Sequence, residues 1–328
     1  MVKRSKKVVG GNKEKLALIN PETLKYWEKY KNDMIVRELS DLTIYNYQND
    51  LENWWLYIYE HQNNKSILEI DDDDIMAFLS YCKQQGNNSR RMKRRIASIS
   101  SFYNFLVKRR YMTENPTTFL ERPRKDTEVV MQTFLTEKQI SDMKEKLIQN
   151  IEDNKRIAGK HTAYQMRLYA LFSLSTMARV AAVRSIRWEM VDFDARIVSG
   201  VIEKEGYEVE LYFSEEVRDT MNDLIAFRKQ HGINDNGYVF TAKENGANDC
   251  ASVTTLSRWA KFIGEMINVP TLHPHDFRHS GATFLKNKGM PLEDISELLH
   301  HAGTDVTRKF YIKADQRKIT EKKDKYGL

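Results

Sequence analysis

The residues of this chain that could do chemistry gather towards its end: His275-Asp276-Phe277-Arg278-His279, then His300-His301, then Tyr311. An arginine fork grips two phosphate oxygens at once, and a histidine beside it adds a hydrogen bond or moves a proton. A tyrosine behind such a pocket is a candidate nucleophile. Its hydroxyl is weak near neutral pH, and the cations of Arg308-Lys309-Phe310-Tyr311-Ile312-Lys313 would assist its deprotonation. The order of clamp and then nucleophile reads as covalent phosphoryl transfer rather than simple binding. Each piece also has a plainer reading: H-x-x-R recurs by chance, and most of the 16 tyrosines must be core or surface residues.

Metal binding is the rival reading of the histidines, because His273, His275, His279, His300 and His301 are five of the eight in the chain. No H-E-x-x-H accompanies them, and no acidic arrangement demands a metal. Arg278 in their midst would repel a cation. No metal ligand is assigned and no cofactor is expected.

Elements must hold these side chains in place. His275 and Arg278 are three apart, so a helix would put both on one face, and Pro274 suits its first turn. The surrounding region, 135–328, reads as mostly helical and opens at a cap in Leu135-Thr136-Glu137-Lys138. One stretch departs from that. Arg196 to Phe213 alternates apolar and polar residues on either side of Glu203-Lys204-Glu205-Gly206, which predicts a strand, a tight turn and a second strand.

Residues 21–120 predict a bundle of helices. Leu24, Trp27, Tyr30, Met34 and Ile35 recur at helical spacing, as do Ile44, Tyr47, Leu51, Trp54, Trp55 and Ile58 over Thr43 to Tyr59. Asp71 to Asp74 makes an acidic helix start leading into Ile75-Met76-Ala77-Phe78-Leu79. A fourth helix, Arg90 to Arg109, would bury Ile96, Ile99, Phe102, Tyr103 and Leu106 and leave its cations outside. Glu121-Arg122-Pro123-Arg124-Lys125-Asp126 is charged and proline-punctuated, as a linker is. The expected organisation is a basic extension over 1–20, a helical domain over 21–120, a linker over 121–134 and a second domain over 135–328.

A length of 328 residues suits two domains, and 41% hydrophobic with 11% aromatic residues can fill real cores. No run approaches the roughly 18 apolar residues of a membrane span. The basic N-terminus lacks the apolar core of a signal peptide. Cys82 and Cys250 lie far apart without metal-type spacing, which fits reduced thiols in a cytoplasmic, nucleoid-associated protein. The net charge of +6 says less than its placement: Arg90-Arg91-Met92-Lys93-Arg94-Arg95 holds five cations in six residues, and Lys108-Arg109-Arg110 follows. Such clusters favour a polyanion, because each neutralised phosphate releases counterions. A solvated helix face is the plainer alternative.

Taken together, the motifs resemble those of the tyrosine recombinases, the integrase, Xer- and Cre-like family. Arg179, in Thr176-Met177-Ala178-Arg179-Val180-Ala181-Ala182-Val183-Arg184-Ser185-Ile186-Arg187-Trp188, resembles the family's first box, and Arg187-Trp188 supports that register over Arg184. Lys204, at the predicted hairpin turn, resembles its mobile lysine. His275-Asp276-Phe277-Arg278-His279 matches the H-x-x-R box. Glu297-Leu298-Leu299-His300-His301-Ala302 resembles E-L-L-G-H-A, which assigns the family histidine to His301 rather than His300 and leaves Tyr311 at the nucleophile. Two departures stand out. Ala182 occupies a position where the family commonly has an acidic residue, so a brace for the site would have to come from elsewhere, such as Asp276 or Asp192. The interval from His301 to Tyr311 is one residue longer than the pattern, which keeps Tyr326 as a substitute nucleophile. Both departures point to a phage or mobile-element enzyme.

The resemblance implies a mainly α fold with a small β-sheet: a helical core-binding domain and an α+β catalytic domain, clamped as a C around duplex DNA. It implies site-specific recombination through a 3′-phosphotyrosyl link and a Holliday junction, by a homotetramer on two DNA sites, with accessory proteins possible and neither metal nor ATP consumed. Arg179 and Arg278 would clamp the phosphate, His275 would act as base, His301 would bond a nonbridging oxygen and Lys204 would protonate the leaving oxygen. Thr43, Tyr47, Arg90, Arg91, Lys93, Arg94 and Arg95 are the expected DNA contacts. A type IB topoisomerase, an Xer-type resolvase and a non-catalytic DNA-binding relative are the alternatives.

Overall fold

The structure, a computed structural model, describes residues 13–124, 134–203, 206–244 and 247–300. They form two compact units whose boundary falls between residues 130 and 131. The first holds helices α1 (Lys13–Leu16), α2 (Pro21–Val36), α3 (Asp41–His61), α4 (Asp72–Gln84) and α5 (Ser89–Lys108). The longer helices start on side chains that satisfy otherwise orphaned N–H groups. Asn20 accepts from Glu22 N, Ser40 from Thr43 N and Asn88 from Arg91 N, while Asp71 and Asp74 close a reciprocal capping box. Their apolar faces meet in a core rich in aromatics, with Trp54, Tyr30, Tyr103, Phe78 and Phe102 fully buried. The Tyr30 hydroxyl bonds Ser101 Oγ at 2.7 Å, and that of Tyr103 donates to the Ile67 carbonyl at 2.9 Å, so both aromatic hydroxyls are satisfied inside.

Two expectations for this unit change. In α2 the buried stripe is Thr23, Tyr26, Trp27, Tyr30 and Met34, whereas Leu24 and Ile35 face solvent. In α5 the cations do not all stay outside. Arg95 lies three residues after Met92 and four before Ile99, on the buried stripe, and is 0% exposed. A guanidinium in that position cannot reach a phosphate, so Arg95 is removed from the expected DNA contacts.

The second unit contains α6 (Glu137–Asp153), α7 (Ile157–Thr176), α8 (Val180–Arg184), β1 (Val191–Asp192), β2 (Ile197–Ile202), β3 (Glu208–Tyr212), α9 (Glu215–Gln230), β4 (Thr241–Glu244), β5 (Ala247–Cys250), α10 (Val253–Met266), α11 (Pro274–Asn287) and α12 (Leu292–Leu298). Thr136 caps α6 as expected. The predicted hairpin forms as β2 against β3, with β1 added at its edge, in a three-stranded antiparallel sheet. Its register slips between Val198 and Val201, where Gly200 adopts φ +74, a left-handed conformation that glycine tolerates at a bulge. A second hairpin, β4–β5, joins residues not expected to be strands. Helix α7 is central and buries residues nearly all round, among them Leu168, Tyr169 and Phe172. No helix among the described residues is long and apolar enough to cross a membrane.

Candidate active site

Helix α11 carries His275 and Arg278, as the spacing predicts, and opens with Pro274 in its first turn. It lies against α7 so closely that a Cβ on Gly281 would collide with the Leu174 carbonyl. Asp276 accepts the His273 backbone N–H at 2.9 Å and faces His273 Nδ1 at 3.1 Å, which pins the first turn. Leu135 N donates to Ser280 Oγ at 2.8 Å and ties the start of the unit to the same helix. Arg278 is therefore launched from a fixed base, and its head is fixed as well. Nη1 donates to the Met177 carbonyl at 2.6 Å and Nη2 to the Leu299 carbonyl, with the side chain buried.

Arg179 arrives from another direction. Helix α7 stops at Met177, which takes the left-handed conformation at φ 54. Two residues on, Arg179 stands in extended backbone at the start of α8, its carbonyl accepting from Ala182 N at 2.9 Å and Val183 N at 3.0 Å. Its guanidinium makes an ion pair through Nη1 with Glu203, immediately beyond β2, and remains 31% exposed while the Glu203 side chain is 2% exposed. The brace that Ala182 lacks is thus not supplied by Asp276, which is committed to His273, nor by Asp192. The Asp192 carboxylate instead accepts from Asp194 N and Ala195 N in a turn.

Both arginines bear on the histidines. The His275 side chain is exposed on one face and meets the His273 and His279 rings on the other, so it is only partly desolvated. That desolvation, followed by the charges of Arg278, His273 and Arg179, lowers its pKa from the ordinary 6.5. It is therefore neutral at pH 7 and able to accept a proton. His300 also comes to this site, although the family pattern has glycine there. Its φ of 48 is the left-handed conformation that favours glycine. Burial, then Arg278 and Arg179, lower its pKa too, against a hydrogen bond to the Glu210 backbone that raises it. Its Nδ1 is 3.7 Å from Glu203 Oε2. The structure thus brings together Arg179, His275 and Arg278 and adds Glu203 and His300. Lys204, His301, Tyr311 and Tyr326 lie outside the described residues. The signal for Glu203 was present in the sequence: a carboxylate beside the expected lysine, in a site otherwise cationic.

In the first unit Arg90 is exposed, Arg91 and Lys93 are half-buried, and Arg94 is half-exposed. Arg94 Nη2 bonds the buried Asp50 at 2.8 Å and Ser98 Oγ holds the second Asp50 oxygen at 3.1 Å, so part of the charge of α5 anchors α3. The half-buried Thr43 bonds Ser40 Oγ at the head of α3, and Tyr47 is half-buried against the core.

Comparison with known proteins places this arrangement. The model of the Phage integrase family matches residues 133–318, and that of the Phage integrase N-terminal SAM-like domain matches residues 27–110. The tyrosine recombinase XerD of Oceanobacillus iheyensis is 27% identical over 290 residues, covering 84% of this chain and 89% of the relative. Two solved structures share the fold. One is the XerH site-specific recombinase bound to palindromic difH substrate, with a TM-score of 0.69 at 15% identity, covering 94% of this chain and 92% of the other. The other is the Tn1549 transposon integrase in complex with a circular intermediate DNA, with a TM-score of 0.65 at 16% identity, covering 92% and 99%. With both units matched, the chain belongs to the phage integrase family and is a tyrosine-type site-specific DNA recombinase.

Proposed function

We propose that the chain cleaves and rejoins duplex DNA through Tyr311. The tyrosine oxygen attacks the scissile phosphorus, the bond from phosphorus to the 5′ oxygen breaks, and a 3′-phosphotyrosyl link remains. His275 takes the tyrosine proton, and Lys204 gives one to the departing 5′ oxygen. Charge developing on the nonbridging oxygens is held by Arg179 and Arg278, with His301 adding a hydrogen bond. The link keeps the energy of the phosphodiester, so a second 5′ hydroxyl can reverse the step on a new strand without ATP. The observation that carries this reading is the convergence of Arg179 and Arg278 from distant segments, the Arg278 guanidinium bonding the Met177 carbonyl two residues before Arg179, beside His275. Preorganised cations of this kind act where negative charge develops without reorganising during the reaction.

A homotetramer on two DNA sites, exchanging strands through a Holliday junction and assisted by accessory proteins, is the assembly that this chemistry serves. In the first unit Arg90, Arg91, Lys93 and Arg94, with Thr43 and Tyr47, form the proposed DNA contacts. The departures at Ala182 and before Tyr311 support service to a phage or mobile element. The test is incubation of the full chain, with chelator present, with a nicked suicide duplex bearing its site. A protease-sensitive covalent adduct is expected, abolished by Tyr311→Phe and kept by Tyr326→Phe. An adduct that persists in Tyr311→Phe overturns the nucleophile.

A further inference from the structure

We infer that Glu203 is a positioning residue for strand cleavage: it holds Arg179 in place of the acidic side chain that Ala182 lacks. The inference rests on the strand-cleavage reading above. Three observations meet at this carboxylate. It is the acidic group paired with the Arg179 guanidinium, and its side chain is 2% exposed, below an arginine that is 31% exposed. Neither of its oxygens has a hydrogen-bond partner among the described residues, so the ion pair is what offsets its burial there. The other basic group beside it among the described residues, His300 at 3.7 Å, has a lowered pKa and is not a standing cation at neutral pH. Among the described residues Arg179 thus carries the compensation.

The position on the chain fits the task. A guanidinium has five donors in a rigid plane, so anchoring one edge on a buried carboxylate leaves the opposite edge directed outwards at a fixed angle. Ala182 is buried in the core of the unit, three residues along from Arg179, and has no side chain to do this. Glu203 reaches the same arginine from the end of β2, where its N–H bonds the Tyr207 carbonyl at 2.9 Å and its own carbonyl accepts from Gly206 N at 3.2 Å. The brace is therefore built into the base of the β2–β3 hairpin, one residue before Lys204 in the sequence. A bare carboxylate facing a phosphate would repel it. Buried behind Arg179, it instead fixes the cation that the phosphate meets.

The test compares cleavage rates of the unaltered chain and Glu203→Gln on two nicked suicide duplexes. One carries a phosphodiester at the scissile position; the other carries a methylphosphonate there, which lacks one nonbridging charge. Loss of a group that orients a functional side chain lowers activity by about 10–100-fold. That loss is expected on the phosphodiester, with DNA binding unchanged and a much smaller loss on the methylphosphonate. Equal losses on both substrates would make Glu203 merely structural, and a rate within about twofold of the unaltered chain on the phosphodiester would also overturn the inference. Should Glu203→Gln not fold, Glu203→Asp, which pulls the charge back by one methylene, is read by the same two substrates in the same way. If the unaltered chain forms no adduct, the strand-cleavage reading falls and this inference with it; if it does and Glu203→Gln matches it, only the inference falls.

Discussion

Arg228 in the second unit and Arg95 in the first are both buried guanidinium groups, and their surroundings could hardly differ more. Arg228 is 4% exposed and fully bonded. Nε donates to His161 Nε2 at 2.9 Å, Nη1 to Asp235 Oδ2 at 2.8 Å and to the Tyr238 carbonyl, and Nη2 to Gln165 and the Val239 carbonyl. Arg95 has no hydrogen-bond partner at any nitrogen among the described residues and lies 5.5 Å from the centre of the Phe78 ring. Burial lowers the pKa of both. One cation ties α7 and α9 to the segment before β4; the other bears desolvation with little return. A buried arginine is therefore neither stabilising nor destabilising by type. Its partners decide.

The largest effect should come from breaking the bonded case. Arg228→Met strands Asp235, His161 and Gln165 and is expected to cost about 3–5 kcal/mol in calorimetric unfolding of the full chain. A loss under about 1 kcal/mol would erase the contrast. Next comes acid. Burial, then the neighbouring Arg228 charge, lowers the His161 pKa from 6.5 to about 4. The unfolded chain therefore binds this proton first. The His161 contribution is complete above pH 6.5 and fades as pH falls towards 4, amounting to about 3 kcal/mol at roughly 1.4 kcal/mol per tenfold in proton affinity. Urea unfolding from pH 7 to 4 should show that much less acid sensitivity in His161→Gln than in the unaltered chain. The smallest effect carries the opposite sign. Arg95→Met is expected to leave stability unchanged or raise it by about 1 kcal/mol, with DNA affinity unaltered. Arg90→Gln, on the exposed part of the same helix, should instead reduce the salt dependence of DNA binding by about one ion. Weaker DNA binding in Arg95→Met would return that residue to the interface.

The contrast also marks what the sequence could convey. Helices α2 to α5 announce themselves through apolar periodicity and caps, and the β2–β3 pair through alternation around a turn. His275 and Arg278 could be placed on one helix because three residues make most of a turn. Arg95 reads as a surface cation by its charge, yet the stripe through Met92, Ile96 and Ile99 runs through it. The β4–β5 hairpin is not legible in the sequence because its strands, Thr-Ala-Lys-Glu and Ala-Asn-Asp-Cys, are poor in β-branched residues. Asn245-Gly246 between them was the available turn signal. Glu203 could be seen beside Lys204, but not that it meets Arg179, because a contact across the fold leaves no spacing to read.

One turn serves both arginines of the candidate site. The Met177 carbonyl receives Arg278, and Arg179 follows two residues later on the same left-handed turn. The two side chains therefore share a datum, as two gauges zeroed on one mark. A substitution that reshapes the end of α7 therefore reaches both arginines at once, through the backbone of one and the hydrogen bond of the other.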